Sequence, residues 1–198
     1  MTTERIKAIQ REIGVEPDGF WGPISRTAAR TFLRKMCPNN PWPESNTTAL
    51  RNFYGDFGKD DDDPVRKKWI KDNIVAIDVK GLGLKYNGKT TSAVRCHRLV
   101  ADSLKRILLR ISMSKHADVL EWYRGCFQIR QMRNGDKWST HSWAIAIDIG
   151  TKGNGLKTPW PITATMPWEV IKIFADEGWL SGAVIWGYDA MHFQATKF

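Results

Sequence analysis

Apolar residues recur at helical spacing near the start of the chain. Ile6, Ile9 and Ile13 share one face of a helix over 3–13, and Gly14 supplies its stop. Asp18-Gly19 reads as a turn, and Pro23 suits the first turn of a second helix. The spacing predicts that this second helix turns Ile24, Ala28, Phe32 and Met36 inward. The Pro- and Asn-rich run 37–43 predicts a loop. A third short helix follows to about Phe53, with Ser45 or Asn46 as its cap. Three short helices predict a compact bundle over residues 1–55. An acidic linker is expected over 56–68 and a larger domain over 69–198.

Beyond the linker the periodicity is mixed. Residues 65–73 look helical, and the β-branched run 74–79 fits a strand. A long amphipathic helix is expected over 92–114, with Val94, Val100, Leu104, Ile107, Leu108 and Ile111 inward. Strands are expected at 126–132 and 144–149, with Asn134-Gly135 as a turn signal between them. A helix over 166–177 and strand edges at 183–186 and 192–195 complete the prediction. Helices interleaved with hairpins point to an α+β fold, a mainly antiparallel sheet flanked by helices, rather than a doubly wound sheet.

Composition narrows the classes. Of 198 residues, 42% are hydrophobic and 26% charged, which is globular and excludes a disordered chain. No apolar run approaches the roughly 20 residues of a bilayer span, so stable membrane insertion is not expected. Charges stand where a secretory signal would carry its apolar core, so manufacture in a cytoplasm is expected. Cys37, Cys96 and Cys126 form no C-x-x-C pair and predict free, buried thiols. The net charge is +9, most of it after residue 68, and favours a polyanionic partner without choosing one. The run Asp60, Asp61, Asp62, Asp63 could bind a cation. It lacks the ordered spacing of a calcium loop, and a solvated linker ending at a helix N-terminus is the preferred reading.

Two of the four histidines keep unusual company. In Ser139-Thr-His141-Ser-Trp-Ala144-Ile-Ala146-Ile-Asp148-Ile, the tail alternates, with Ile145, Ile147 and Ile149 on one face and Ala144, Ala146 and Asp148 on the other. The second face is small enough for something to approach the carboxylate. The offset from His141 to Asp148 is odd, so the two can meet only if 139–143 is a loop or bulge entering the strand. In Trp186-Gly-Tyr-Asp189-Ala-Met-His192, a carboxylate lies three residues before an imidazole. Two imidazoles and a carboxylate make a three-ligand catalytic zinc set. A structural histidine and a turn-capping Asp would give the same pattern, and the spacing leaves both open. His97 beside Cys96 predicts a buried pair of apolar character. Trp21 and Trp42 could stack on sugars or pack internally, and Trp143 and Trp186 flank the proposed ligands.

Ser139, His141 and Asp148, followed by Asp189 and His192, resemble the zinc peptidases that cut peptidoglycan stems. These comprise VanY-type D-Ala-D-Ala carboxypeptidases and phage or bacterial L-alanyl-D-glutamate endopeptidases. The resemblance implies that His141, Asp148 and His192 bind zinc, that Asp189 is the general base, and that Ser139 lies at the site edge near substrate. It also implies an upstream Arg that meets a substrate carboxylate or the oxyanion, for which Arg130 and Arg133 are the candidates. Ala144 stands where the family has Gly, a small-for-small change expected to narrow the site without abolishing it. Residues 3–36, with Gln10 and the turn Asp18-Gly19-Phe20-Trp21-Gly22-Pro23, are similar to a three-helix peptidoglycan-binding module. There Ser25 replaces a common Thr, and Leu33 a frequent Gln.

Together these resemblances imply a phage endolysin. It would be a monomeric zinc peptidase made in the host cytoplasm, reaching peptidoglycan after a holin-type partner permeabilises the membrane, and cutting the stem at L-Ala–D-Glu. The alternatives are a D-Ala-D-Ala carboxypeptidase, a cross-link endopeptidase, or a wall-binding protein without catalysis. The charge alone would also suit DNA, but no groove-reading motif is present, and no nucleic-acid partner is expected.

Overall fold

The computed structural model describes residues 2–59, 63–132 and 135–197. The chain begins with α1 (Thr2–Ile13), α2 (Pro23–Met36) and α3 (Thr47–Tyr54). Gln10 organises the turn between the first two. Its buried amide donates to Asp18 Oδ1 at 2.7 Å and accepts from the Gly19 amide at 2.9 Å. Gly19 has a φ of +80°, and a Cβ there would press to 2.5 Å from Thr3 Cγ2, so the turn needs glycine. Asn46 is the residue that caps α3, accepting from the Ala49 amide at 2.9 Å.

The inward face of α2 differs from the sequence expectation. Ser25, Ala29 and Leu33 are buried, Ile24 is 76% exposed, and Ala28, Phe32 and Met36 lie half-buried at the flank. The helix is rotated because Ser25 answers the buried Gln10 amide at 3.0 Å, a polar constraint that apolar periodicity does not register.

Asp63 caps α4 (Pro64–Asn73), accepting from the Val65 amide at 2.8 Å. Asp60, Asp61 and Asp62 lie outside the described residues. The rest of the expected linker is not solvated throughout. Phe57 is 1% exposed and packs edge-on against Trp69, Trp138 and Trp143. Helix α4 also runs across residue 68.

Three small sheets, all antiparallel, follow among the described residues. The first pairs β1 (Ile74–Asp78) with a later strand; β2 (Lys85–Tyr86) and β3 (Lys89–Thr90) form a short hairpin. The partner of β1 is β4 (Ala93–His97), so the long helix expected from residue 92 starts only at α5 (Ala101–Ser112). Residues 93–96 alternate between exposed and buried positions, 93–97 pair with the β1 edge, and strand pairing overrides the helical pattern there. Val100, Leu104, Ile107, Leu108 and Ile111 are buried as expected. The third sheet has the order β5 (Ala146–Asp148), β7 (His192–Gln194), β6 (Leu180–Ser181). Between its strands lie α6 (Trp168–Asp176) and α7 (Gly182–Ile185). The expected strand at 183–186 is therefore a short helical turn. The expected strand at 126–132 joins no named sheet; Gln131 forms a bridge with Trp138, and Asn134 lies outside the described residues.

The fold is thus α+β, and its core is continuous from one end to the other. Ile6, Ile9, Trp21 and Leu33 belong to the same buried cluster as Leu104, Trp160 and Phe193. Trp21 meets Trp160 edge-on at 5.3 Å, and Phe32 meets Trp168 at 5.9 Å. Arg5 donates to the carbonyls of Pro161 and Ala164, and Arg30 to those of Val184 and Ile185. Trp21 and Trp42 are therefore internal packing groups, and Trp42 donates to the Glu177 carbonyl at 2.8 Å. No helix among the described residues is long and apolar enough to cross a membrane.

His97 is fully buried in strand β4, between Tyr54 and Trp69. Its Nε2–H donates to the Tyr54 carbonyl at 3.0 Å, and burial lowers its pKa from 6.5 to about 4. The unfolded chain takes up this proton as pH falls through 6.5, whereas the folded chain does so only near 4. His97 should therefore contribute a loss of about 3 kcal/mol of stability across that window, and carboxylates held low in the fold, Asp148 among them, carry the loss on below it. Urea unfolding of the metal-free protein at a series of pH values should show this slope, and H97Q should flatten it by about the same amount.

Candidate metal centre

Strand pairing builds most of the site. In the β5–β7 ladder, Asp148 stands directly opposite His192 and Ala146 opposite Gln194, so these four share one face. Ile147 and Phe193 occupy the other face and are fully buried. His141 arrives by a different route. Residues Thr140–Trp143 form a 3-10 turn that Ser139 caps, and Ala144 closes it with a φ of +55° before the strand begins. This is the irregular entry that the odd offset between His141 and Asp148 demands. The left-handed backbone also gives Ala144 a different reading: glycine suits that position for its φ, and the alanine methyl is buried rather than lining an approach to the site.

The three side chains converge. His141 Nε2 and Asp148 Oδ1 are 3.3 Å apart, His192 Nδ1 and Asp148 Oδ1 3.1 Å, and the two imidazole nitrogens 3.3 Å. Their opposite ring nitrogens are already committed. His141 Nδ1–H donates to the Cys126 carbonyl at 3.0 Å, and His192 Nε2–H to the Gln194 amide oxygen at 3.0 Å. Each ring is thereby held with its other nitrogen facing the carboxylate, as in histidines that ligate a metal. A tetrahedral ion with bonds of about 2.0–2.1 Å keeps its donors about 3.3 Å apart, and the observed spacings fit that edge. Among the described residues, His141, Asp148 and His192 are the one group of three or more such donors close enough to hold a metal ion. Imidazole and carboxylate donors suit zinc.

The electrostatics agree. Burial would raise the Asp148 carboxyl, but hydrogen bonds and charge from His141 and His192 hold it well below the usual carboxylate range. Burial likewise opposes charge on His192, yet Asp148, with Asp189 behind it, lifts its pKa above the ordinary histidine value. The carboxylate is charged and ready to bind a cation, and the raised pKa of His192 means that protons compete with a metal for that ring.

The other sequence candidates divide. Asp189 is 8% exposed, sits at the turn before β7 with a φ of +56°, and accepts the His192 amide through its carbonyl. Ser139 is buried, and its hydroxyl faces the His141 amide at 3.4 Å as a cap. The Arg130 backbone anchors the turn through Ser142 Oγ at 3.0 Å, while its guanidinium lies exposed near the Gln131 carbonyl. Arg133 lies outside the described residues. Trp143 is buried and donates to the Gly55 carbonyl; Trp186 is 37% exposed and leans over the His192 ring at 5.5 Å. Sequence reasoning missed Gln194 and the Cys126 carbonyl. Gln194 was accessible in principle, since it lies two residues from His192 and so on the same strand face. The carbonyl left no signal.

Residues 133–195 match the model of a protein family described as D-alanyl-D-alanine carboxypeptidase. The matched stretch contains Ser139, His141, Asp148, Asp189 and His192. No curated protein and no solved structure gives a significant match to the chain.

The geometry predicts one equivalent of tightly bound zinc. At a thousandfold excess over the dissociation constant, zinc should stabilise the fold by about 4 kcal/mol, and a chelator should reverse this. H192A should retain under a tenth of an equivalent in equilibrium dialysis and show no zinc-dependent rise in melting temperature.

Proposed function

We propose that the chain is a zinc peptidase that hydrolyses peptidoglycan stem peptides at the bond between L-Ala and D-Glu. The observation that carries this reading is the convergence of His141, Asp148 and His192, with both imidazoles held in the ligating orientation. These three residues would hold the metal. Zinc there would serve as a Lewis acid for water and for the scissile carbonyl. The Asp189 carboxylate takes a proton from the water as its oxygen adds to the carbonyl carbon. It returns that proton to the nitrogen as the C–N bond breaks. Its near-burial and its place three residues before His192 suit a base held beside the ligand set. Arg130 or Arg133 would receive a substrate carboxylate, and the half-exposed Trp186 and Tyr188 would form one wall of the approach.

In this proposal the first 55 residues contribute affinity for the wall, and the net charge of +9 aids adhesion to anionic envelope polymers. The chain would act as a monomeric endolysin, made in the host cytoplasm and admitted to the wall by a holin-type partner. The description of the matched family favours a second reading, removal of a terminal D-Ala from the same stem.

Mass spectrometry of purified peptidoglycan digested with the zinc-loaded protein separates these. Chelator-sensitive fragments cut after L-Ala are expected; release of D-Ala would transfer the assignment to the carboxypeptidase, and unchanged wall would remove both. D189A should keep its equivalent of zinc while turnover falls by about 10²–10⁴-fold. Zinc loss in a folded D189A protein, or wild-type turnover, would overturn the base assignment.

A further inference from the structure

The Gln194 side chain is 3% exposed and reaches its full hydrogen-bonding capacity. Its oxygen accepts from His192 Nε2 at 3.0 Å and from Thr140 Oγ1 at 3.2 Å. Its nitrogen donates to Ser45 Oγ at 2.9 Å and to Thr196 Oγ1 at 2.8 Å. A primary amide can turn over in such a pocket, and the two orientations have opposite consequences for the neighbouring ring. With the oxygen towards His192, the imidazole must carry its proton on Nε2, and Nδ1 offers a lone pair to the ligand cluster. With the nitrogen towards His192, Nε2 must accept, the proton moves to Nδ1, and that atom can no longer ligate a metal.

Ser45 ties that amide to the amino-terminal segment. It stands between Glu44, which bridges to Lys197, and Asn46, which caps α3. The Lys197 amide donates to the Pro43 carbonyl at 2.7 Å, tying the same segment to the end of β7. The hydroxyl that meets Gln194 therefore comes from the amino-terminal segment, 149 residues away in sequence.

We propose that Gln194 is a positioning residue that fixes the tautomer of His192, and that Ser45 braces the Gln194 amide in place against that ring. The proposal rests on the metal-site reading above, and it extends that site into the amino-terminal helical segment. It assigns neither residue a contact with substrate.

The test is zinc affinity of the full-length chain, measured by competition with a chromophoric chelator, together with kcat and KM at saturating zinc. Q194M should lose about 10–100-fold in zinc affinity. Q194E, which keeps an acceptor towards His192, should return to within a few-fold of wild type. S45A removes one of four bonds to the amide and should cost about 2–10-fold. KM should stay unchanged in all three, because no substrate contact is altered. Wild-type affinity in Q194M would overturn the proposal, and wild-type affinity in S45A would overturn its second half. Equal losses in Q194M and Q194E would reduce Gln194 to a packing role and also overturn it. Wild-type protein that binds no zinc would instead overturn the metal-site reading itself.

Discussion

The antiparallel pairing of β5 with β7 is the constraint on which the site depends. It sets Asp148 across from His192 and Ala146 across from Gln194, with Ile147 and Phe193 turned to the opposite face. A slip of one residue in either strand would send Asp148 or His192 into the core and an apolar side chain among the polar groups of the opposite face. The core side resists that slip. Phe193 stacks on Phe174 with ring centroids 3.8 Å apart, and Ile147 is sealed from solvent. Apolar packing on one face thus fixes the separation of charged and polar groups on the other.

Around this pair the backbone is bent where the chemistry needs it. Ala144 and Asp189 both adopt left-handed φ values, and both belong to the segments that deliver site residues. Such conformations cost on the order of 1–3 kcal/mol each for residues other than glycine. They persist because the surroundings determine them fully. The turn ending at Ala144 is held by Ser139 at its start and by Trp143, whose indole is anchored on the Gly55 carbonyl. The turn at Asp189 follows a segment whose carbonyls are gripped by Arg30.

Much of this was legible in the sequence, and the parts that were not share a cause. Side-chain periodicity located α1, α3, α4 and most of α5, and the alternation after Ala144 located β5. Residues 141, 148, 189 and 192 drew attention by the company the two histidines keep, and their roles came from the resemblance to the zinc peptidases, because the spacing alone left bland readings open. The errors fall where a partner distant in sequence decides the outcome. Residues 93–97 became a strand because β1 offers an edge, and α2 turned about its axis because Gln10 is buried beside it. Gln194 escaped notice because its place on the His192 face, though readable from the spacing, says nothing of a role until its four partners are seen together.

The continuous core also bears on how such a chain could be rebuilt. Proteins assembled as beads on a string let one bead be exchanged while the other is left untouched. Here Trp21 packs on Trp160, Glu12 meets Trp168 and Lys172, and Arg5 and Arg30 hold carbonyls on the far side of the joint. Replacing the first 55 residues with a foreign module would strip a wall from the rest of the fold and bare the indoles of Trp160 and Trp168. A fusion that redirects this protein to another surface should therefore be appended to the intact chain, with its native helices left in place as scaffold.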